Sequence, residues 1–217
     1  MRVISGTARG TKLNSIEEMS TRPTLDRVKE SLFNIINSRI EDSVILDLFA
    51  GSGAIGIEFL SRGCKMAYFC DCSSKAVKMI HQNLEKTRLQ ENAKVLNEDY
   101  KKCLEKLAQQ KVKFDVIFID PPYKDDIAVN AVKMILSLNL LGKDGIIIIE
   151  TDEKEREMSN LKDLDINIYD IRKYGRANLI FLNWKGLNYG NIYIIRRIRR
   201  YYGKLQNSTV LRQKYGW

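Results

Sequence analysis

From Val44 onward, short apolar runs alternate with longer segments whose apolar residues recur every three or four positions. Val44–Phe49, Met66–Cys70, Ala93–Leu96, Phe114–Ile119 and Gly145–Glu150 read as strands. Between them, Gly56–Ser61, Ser74–Arg88, Tyr100–Gln109 and Ile127–Leu138 read as helices, and Glu153–Leu161 as one more. The long segment after the second strand is apolar at Ala76, Val77, Ile80 and Leu84, one helical face. Strands alternating with helices predict an α/β chain with a parallel sheet and helices on both faces. Ile166–Tyr174 and Ala177–Trp184 are separated by a Gly-Arg pair and predict an antiparallel hairpin that closes one sheet edge.

The pattern differs at both ends. Residues 1–14 read as a short strand and turns. A helix is expected from about Thr24, with Val28, Leu32, Ile35 and Ile36 on its apolar face. That face accounts for the apolar residues but not for Arg22-Pro23-Thr24 ahead of it. After Trp184 no amphipathic period persists, so residues 1–184 are expected to form one domain and 185–217 a basic tail without stable order.

Composition adds little except in its charge. With 44% hydrophobic residues, 217 residues suffice for one packed domain with an appendage. No apolar run reaches the length of a membrane span, and the first residues turn polar at once, so a cytoplasmic protein without membrane contact is expected. Cys64, Cys70, Cys72 and Cys103 form no CxxC pair, and His81 is the single histidine, so no metal site is expected and the thiols should be reduced. The net charge is +9, but residues 185–217 carry eight Lys and Arg and no Asp or Glu. The remaining chain is nearly neutral, so the basic character belongs to the tail. The tail reads as an RNA-gripping extension, a solvated segment, or a translated stretch beyond the ancestral gene boundary. Near the N-terminus, Arg2, Arg9 and Lys12 meet no acid in sequence before Glu17, which suits either a solvated surface or a phosphate clamp.

Four constellations carry chemistry. Asp47-Leu48-Phe49-Ala50-Gly51-Ser52-Gly53-Ala54-Ile55-Gly56 leads a strand through a glycine-rich turn into a helix. Such a turn brings a ligand close to backbone N–H groups, and nicotinamide, flavin and S-adenosylmethionine proteins share it. Asp71 follows the second strand, about 20 residues beyond the turn, where a carboxylate can take both hydroxyls of a ribose. Asp99 follows the third strand, where an acid could take the amino group of an adenine. Each acid alone also suits a helix cap; the three strand-end acids together suit a nucleoside-bearing cofactor. The fourth constellation is Asp120-Pro121-Pro122-Tyr123, at the end of an apolar strand that proline cannot extend. A ring amino group is a poor nucleophile because its lone pair is delocalised. The Asp120 carboxylate and the Pro121 carbonyl suit holding both its hydrogens out of the ring plane, with Tyr123 stacked on the base.

Together these stretches resemble the class I S-adenosylmethionine-dependent methyltransferases that act on amino groups. Arg2-Val3-Ile4-Ser5-Gly6, Arg9-Gly10-Thr11-Lys12-Leu13, Arg22-Pro23-Thr24 and Asp26-Arg27-Val28-Lys29-Glu30-Ser31-Leu32-Phe33-Asn34 narrow the resemblance to the RsmD family. Its members are bacterial enzymes that methylate the N2 of one guanine in 16S ribosomal RNA. The resemblance covers roughly residues 1–184. It implies a Rossmann-like class I methyltransferase fold with a seven-stranded, mostly parallel sheet, and S-adenosyl-L-methionine as methyl donor without a metal. It also implies 16S rRNA, in the small subunit or an assembly intermediate, as partner of a monomer. Cofactor contacts would come from Asp47, Phe49, Ala50, Gly51, Ser52, Gly53, Gly56, Asp71, Asp99 and Tyr100, and catalysis from Asp120, Pro121, Pro122 and Tyr123. RNA would be met by the extension over residues 1–40, through Arg2, Arg9, Lys12, Arg22 and Arg27. The chain departs from the family at Leu25, where a small polar residue is usual, and at Ser73, where an acid is usual. Two other readings stay open: a DNA adenine-N6 methyltransferase, and a non-catalytic RNA-binding assembly factor on the same fold.

Overall fold

In a computed structural model of the chain, residues 1–15, 23–122 and 126–185 are described. The compact unit they form runs from Met1 to Lys185. After helix α1 (Pro23–Ile35), strands and helices alternate as the sequence predicts. The order is β1 (Val44–Asp47), α2 (Ala54–Ser61), β2 (Met66–Asp71), α3 (Ser74–Thr87), β3 (Ala93–Asn97) and α4 (Tyr100–Gln109). Then come β4 (Phe114–Ile119), α5 (Ile127–Ser137), β5 (Leu141–Thr151), α6 (Lys154–Leu161), β6 (Ile166–Tyr174) and β7 (Ala177–Trp184). Among the described residues no helix is long and apolar enough to cross a membrane.

The seven strands form one sheet in the order β3-β2-β1-β4-β5-β7-β6. The first five in that order are parallel, and β7 runs antiparallel to both β5 and β6. Side chains alternate across the sheet with period two. Leu46, Leu48, Tyr68, Cys70, Ile117, Ile119, Ile147 and Ile149 face one way and pack with Cys103, Leu104 and Leu107 of α4 and Val129, Val132 and Ile135 of α5. On the opposite face α2 and α3 lie over β1, β2 and β3. Phe33 of α1 meets Phe59 of α2 edge-on, with centroids 4.8 Å apart.

Two differences from expectation go beyond shifts of one or two residues at element ends. Strand β5 begins at Leu141 rather than Gly145, because Leu141 pairs with Phe114 and a register shift between Phe114 and Val116 absorbs the intervening residues. Gly142-Lys143-Asp144-Gly145 thus lies within the strand through this irregular pairing. On α1, Phe33 is buried and Ile35 only half-buried, since Phe33 fills the gap against α2.

The N-terminal arm is held by long-range contacts. Arg2 and Lys12 form an antiparallel bridge. The Val3 amide donates to the Thr11 carbonyl at 3.0 Å, and the Leu13 amide to that of Met1 at 3.0 Å. The arm rests on Glu58, a fully buried carboxylate of α2. Its two oxygens accept the amides of Ile4 (2.8 Å) and Ser5 (3.0 Å). They also pair with Lys29 of α1 (3.2 Å) and Arg62 (2.8 Å). Lys29, itself buried, donates to the Arg2 carbonyl at 2.6 Å. A buried carboxylate is stable only with its partners in place, and here the partners are the arm and two helices. Removing it takes the buried carboxylate partner from Lys29 and Arg62 and the acceptor from two arm amides. Glu58→Ala should therefore cost about 3–5 kcal/mol of stability, read as a lower urea midpoint, and should raise hydrogen exchange at the Ile4 and Ser5 amides.

Candidate active site

The site lies at the carboxyl ends of β2, β1, β4 and β5. Strand order reverses between β1 and β4, since connections leave β1 toward β2 on one side and return to β4 on the other. Such a switch point opens a crevice where ligands of open α/β sheets bind.

Asp47 ends β1 and is buried. Its Oδ2 accepts the Gly56 amide, in the first turn of α2, at 3.0 Å. That bond secures the helix start to the strand end, where an unpaired N–H would otherwise remain. The turn between them is tight: the Gly53 amide donates to the Ala50 carbonyl at 2.7 Å, and the Ala50 amide to that of Cys70 at 2.9 Å. Gly51 and Gly53 have φ of 52° and 77°, a left-handed backbone that side chains disfavour. A Cβ at Gly51 would meet nothing within 4 Å, so the turn presents open backbone there. Gly56 serves a different need: a Cβ on it would lie 2.2 Å from Cε1 of Phe69 in β2, so its glycine lets α2 press against the sheet.

Asp71 at the end of β2 is half-buried. Its Oδ2 accepts the Gly51 amide at 2.9 Å and its Oδ1 the Ser73 amide at 2.8 Å. Both oxygens are thus oriented, with lone pairs left for a ligand. Ser73 is the N-cap of α3, accepting from the Ala76 amide at 3.4 Å. Asp99 is exposed and caps α4, accepting the Lys101 amide at 2.9 Å. Tyr100 lies beside Phe49, their centroids 5.5 Å apart. Phe49, Ser52 and Tyr100 are half-buried, whereas Ala50, Gly53 and Gly56 are buried.

Asp120 follows β4, with Pro121 half-buried and Pro122 exposed. Tyr123 and Arg22 lie outside the described residues, as does the tail from residue 186. Burial raises the Asp120 carboxyl well above the usual range, and the negative neighbours Glu150 and Asp47 raise it further. Asp47 is pushed up to about 7 by burial, opposed by the Gly56 hydrogen bond and aided by the charge of Asp71. Glu150, at the end of β5, is pushed up to about 7 by burial. Ile119 pairs with Ile149, which places Asp120 and Glu150 on neighbouring strand ends. Sequence reasoning missed Glu150. Its signal was the same as that of the other acids, a carboxylate at the end of an apolar run.

Arg2, Arg9 and Lys12 are exposed on the arm, away from the switch point in sequence. Arg2 and Arg9 line a cleft of about 240 Å³ with Val3, Ile4, Gly10 and Glu30, so an acid does reach this basic surface, from α1. Arg27 is exposed on α1.

A switch-point crevice with a glycine-rich turn, on a seven-stranded sheet whose last two strands form an antiparallel hairpin, defines a Rossmann-like fold of the class I methyltransferase type. The family description "Conserved hypothetical protein 95" matches residues 1–183, and the chain belongs to this family, the RsmD family. The Bacillus subtilis protein YlbH is 40% identical over 164 residues, spanning 76% of this chain and 89% of YlbH. The Haemophilus influenzae protein named ribosomal RNA small subunit methyltransferase D is 37% identical over 154 residues, covering 70% of this chain and 79% of that protein. The solved structure of Escherichia coli yhhF superposes with a TM-score of 0.71 at 26% identity, covering 86% of this chain and 99% of that one.

Asp47 and Glu150 hold protons in the folded chain at pH values where the unfolded chain has released them. The contribution of these two groups to folding is therefore fullest below the ordinary carboxylate range and is lost as pH rises through about 7. Asp47→Asn keeps an acceptor for the Gly56 amide and removes one titration. Denaturation between pH 4.5 and 7.5 should show a flatter loss of stability in that variant than in the wild type.

Proposed function

We propose that the chain is an rRNA methyltransferase that transfers a methyl group from S-adenosyl-L-methionine to the exocyclic N2 of a guanine in small-subunit RNA. The carrying observation is the convergence of the glycine-rich turn, Asp71 and Asp120-Pro121 on one switch point. Membership of the RsmD family, and the name of the Haemophilus relative, support an rRNA substrate. The chain's residues suit the cofactor. Gly51 leaves open backbone where a side chain would stand, and two backbone amides orient Asp71 at the rim. Asp71 would take the ribose hydroxyls. Phe49 and Tyr100 would border the adenine, and Asp99 its amino group through the oxygen not used in capping. The raised affinity of Asp47, Asp120 and Glu150 for protons marks a site short of positive charge, which a sulfonium would supply.

When bound, the cofactor supplies a methyl group on a sulfonium, which departs as a neutral thioether. Asp120 and the Pro121 carbonyl would hold the two N–H hydrogens of guanine N2. This directs the nitrogen lone pair out of the ring plane and toward the methyl carbon. As the N–C bond forms, the nitrogen becomes cationic and the Asp120 carboxylate takes one proton. A carboxylate made more basic by burial is the better acceptor. Tyr123 is assigned to stacking on a guanine turned out of its helix, and the exposed Arg2, Arg9, Lys12 and Arg27 to phosphates. The tail is assigned no part in the chemistry.

Asp120→Ala should abolish methyl transfer from labelled S-adenosylmethionine to small-subunit particles taken from cells that lack the enzyme. Cofactor affinity by calorimetry should stay near wild type. Near-normal turnover would remove Asp120 from the mechanism, and label entering duplex DNA instead of particles would favour the adenine reading. Asp71→Ala should weaken cofactor binding by at least tenfold, on the order of the two oriented hydrogen bonds lost. Unchanged affinity would count against its ribose contact.

A further inference from the structure

The face of α3 that meets the glycine-rich turn carries a side chain which neither the cofactor contacts nor the RNA contacts use. Asn83 is fully buried and lies three residues beyond Ile80. Ile80 crowds the turn itself, with Cγ1 3.2 Å from where a Cβ on Gly53 would lie. Asn83 Nδ2 donates to the Ser52 carbonyl at 2.9 Å, at the centre of the turn. The same nitrogen donates to the Asn14 carbonyl at 3.0 Å, and Oδ1 accepts the Asn14 amide at 2.8 Å. Only one orientation of the amide satisfies all three bonds, since two partners are carbonyls and one is an N–H. Lys86, three residues further along the helix, adds a bond to Asn14 Oδ1 at 3.4 Å.

Asn14 is where the N-terminal arm ends. The preceding residue, Leu13, is paired with Met1, and further back the arm bonds to Glu58 and Ser61 of α2 and to Lys29 of α1. Helix α2 starts at Ala54, directly after the turn. The arm thus bears on the two helices that flank the glycine-rich turn, and one amide touches both arm and turn. The Ser52 carbonyl lies between two left-handed glycines and accepts from Asn83 Nδ2. Without Asn83 it would be a polar group lacking its partner beside a packed helix.

We propose that Asn83 is a positioning residue that couples the N-terminal arm to the glycine-rich turn, so that a docked arm holds the turn in its ligand-binding shape. The coupling rests on the reading above that the turn receives a nucleoside cofactor and the arm meets RNA. Linkage then requires that RNA on the arm and cofactor at the turn raise each other's affinity by one factor. The arm and the turn are more than 35 positions apart in the chain, and the coupling exists because α3 brings them to one side chain.

Three full-length variants test it, with S-adenosylhomocysteine affinity by calorimetry and hydrogen exchange as readouts. Asn83→Ala should weaken S-adenosylhomocysteine binding on the order of tenfold and raise exchange in both Val3–Leu13 and Ser52–Gly53. Asn14→Pro removes the arm-side N–H donor together with the side-chain oxygen bonded by Lys86, and touches nothing in the turn. It should also weaken binding, by roughly twofold to fivefold, and raise exchange in the turn. Thr87→Val is the control on the same helix. It loses buried bonds to the Asn83 and Leu84 carbonyls at 2.7 and 3.1 Å, so it should lower the melting temperature without changing affinity. Wild-type affinity in Asn14→Pro with a loosened arm would overturn the coupling. An equal loss of affinity in Thr87→Val would reduce the effect to stability and overturn it too. If Asn83→Ala does not fold, Asn14→Pro decides alone. If the wild type binds no S-adenosylhomocysteine, the functional reading fails, while exchange in the turn of Asn14→Pro still decides the coupling.

Discussion

The bond from the Gly56 amide to the Asp47 carboxylate is what the rest of the site depends on. It joins the end of a buried strand to the start of a helix and so sets the path of the residues between them. That path is possible because Gly56 lets α2 close on Phe69 and because Gly51 and Gly53 take a left-handed backbone. Asp71 then reaches the turn from β2 and holds Gly51. Each of these is a short, local bond, and together they orient backbone amides and one carboxylate before any ligand arrives. Binding to such a site costs little ordering entropy, which is the usual advantage of preorganisation.

The same carboxylate belongs to a second arrangement that costs the fold stability. Asp47, Asp120 and Glu150 stand at the ends of three adjacent strands, and burial makes each of them hold its proton more tightly than an exposed acid would. A core built for stability alone would not collect acids there. Their placement fits complementarity to a cationic group such as the sulfonium of the cofactor proposed above. Basicity at Asp120 and a preference for positive charge thus have one cause, desolvation at a crevice of the sheet.

A third dependence runs outward from α2 and α3. Glu58 and Asn83 are both fully buried polar side chains, and both tie the N-terminal arm to the helices and the turn. Buried polar groups of this kind fix relative position more than they add stability. The arm's exposed arginines and lysine are therefore presented from a defined surface rather than from a loose terminus.

Much of this was legible in order. Periodicity two and three-and-a-half placed α4, β4, β6 and β7 at their observed bounds, because buried strands and amphipathic helices leave patterns in neighbouring residues. The strand-end acids and the Asp-Pro-Pro-Tyr stretch were visible for the same reason: a motif held in one short segment needs no partner to be recognised. What stayed hidden were the relations between distant segments. That Gly56 also lets α2 close on Phe69 could not be read from the chain. Gly145 looked like the start of its strand until Leu141 paired with Phe114. Glu150, Glu58 and Asn83 looked like ordinary helix or strand residues. Local stereochemistry is written in adjacent residues, so the chain alone dictates its elements and the turn between Asp47 and Gly56. Which carboxylates share a crevice, and which amide joins the arm to that turn, depends on contacts across tens of residues. Those contacts arise only when the sheet orders its strands and the helices pack upon it.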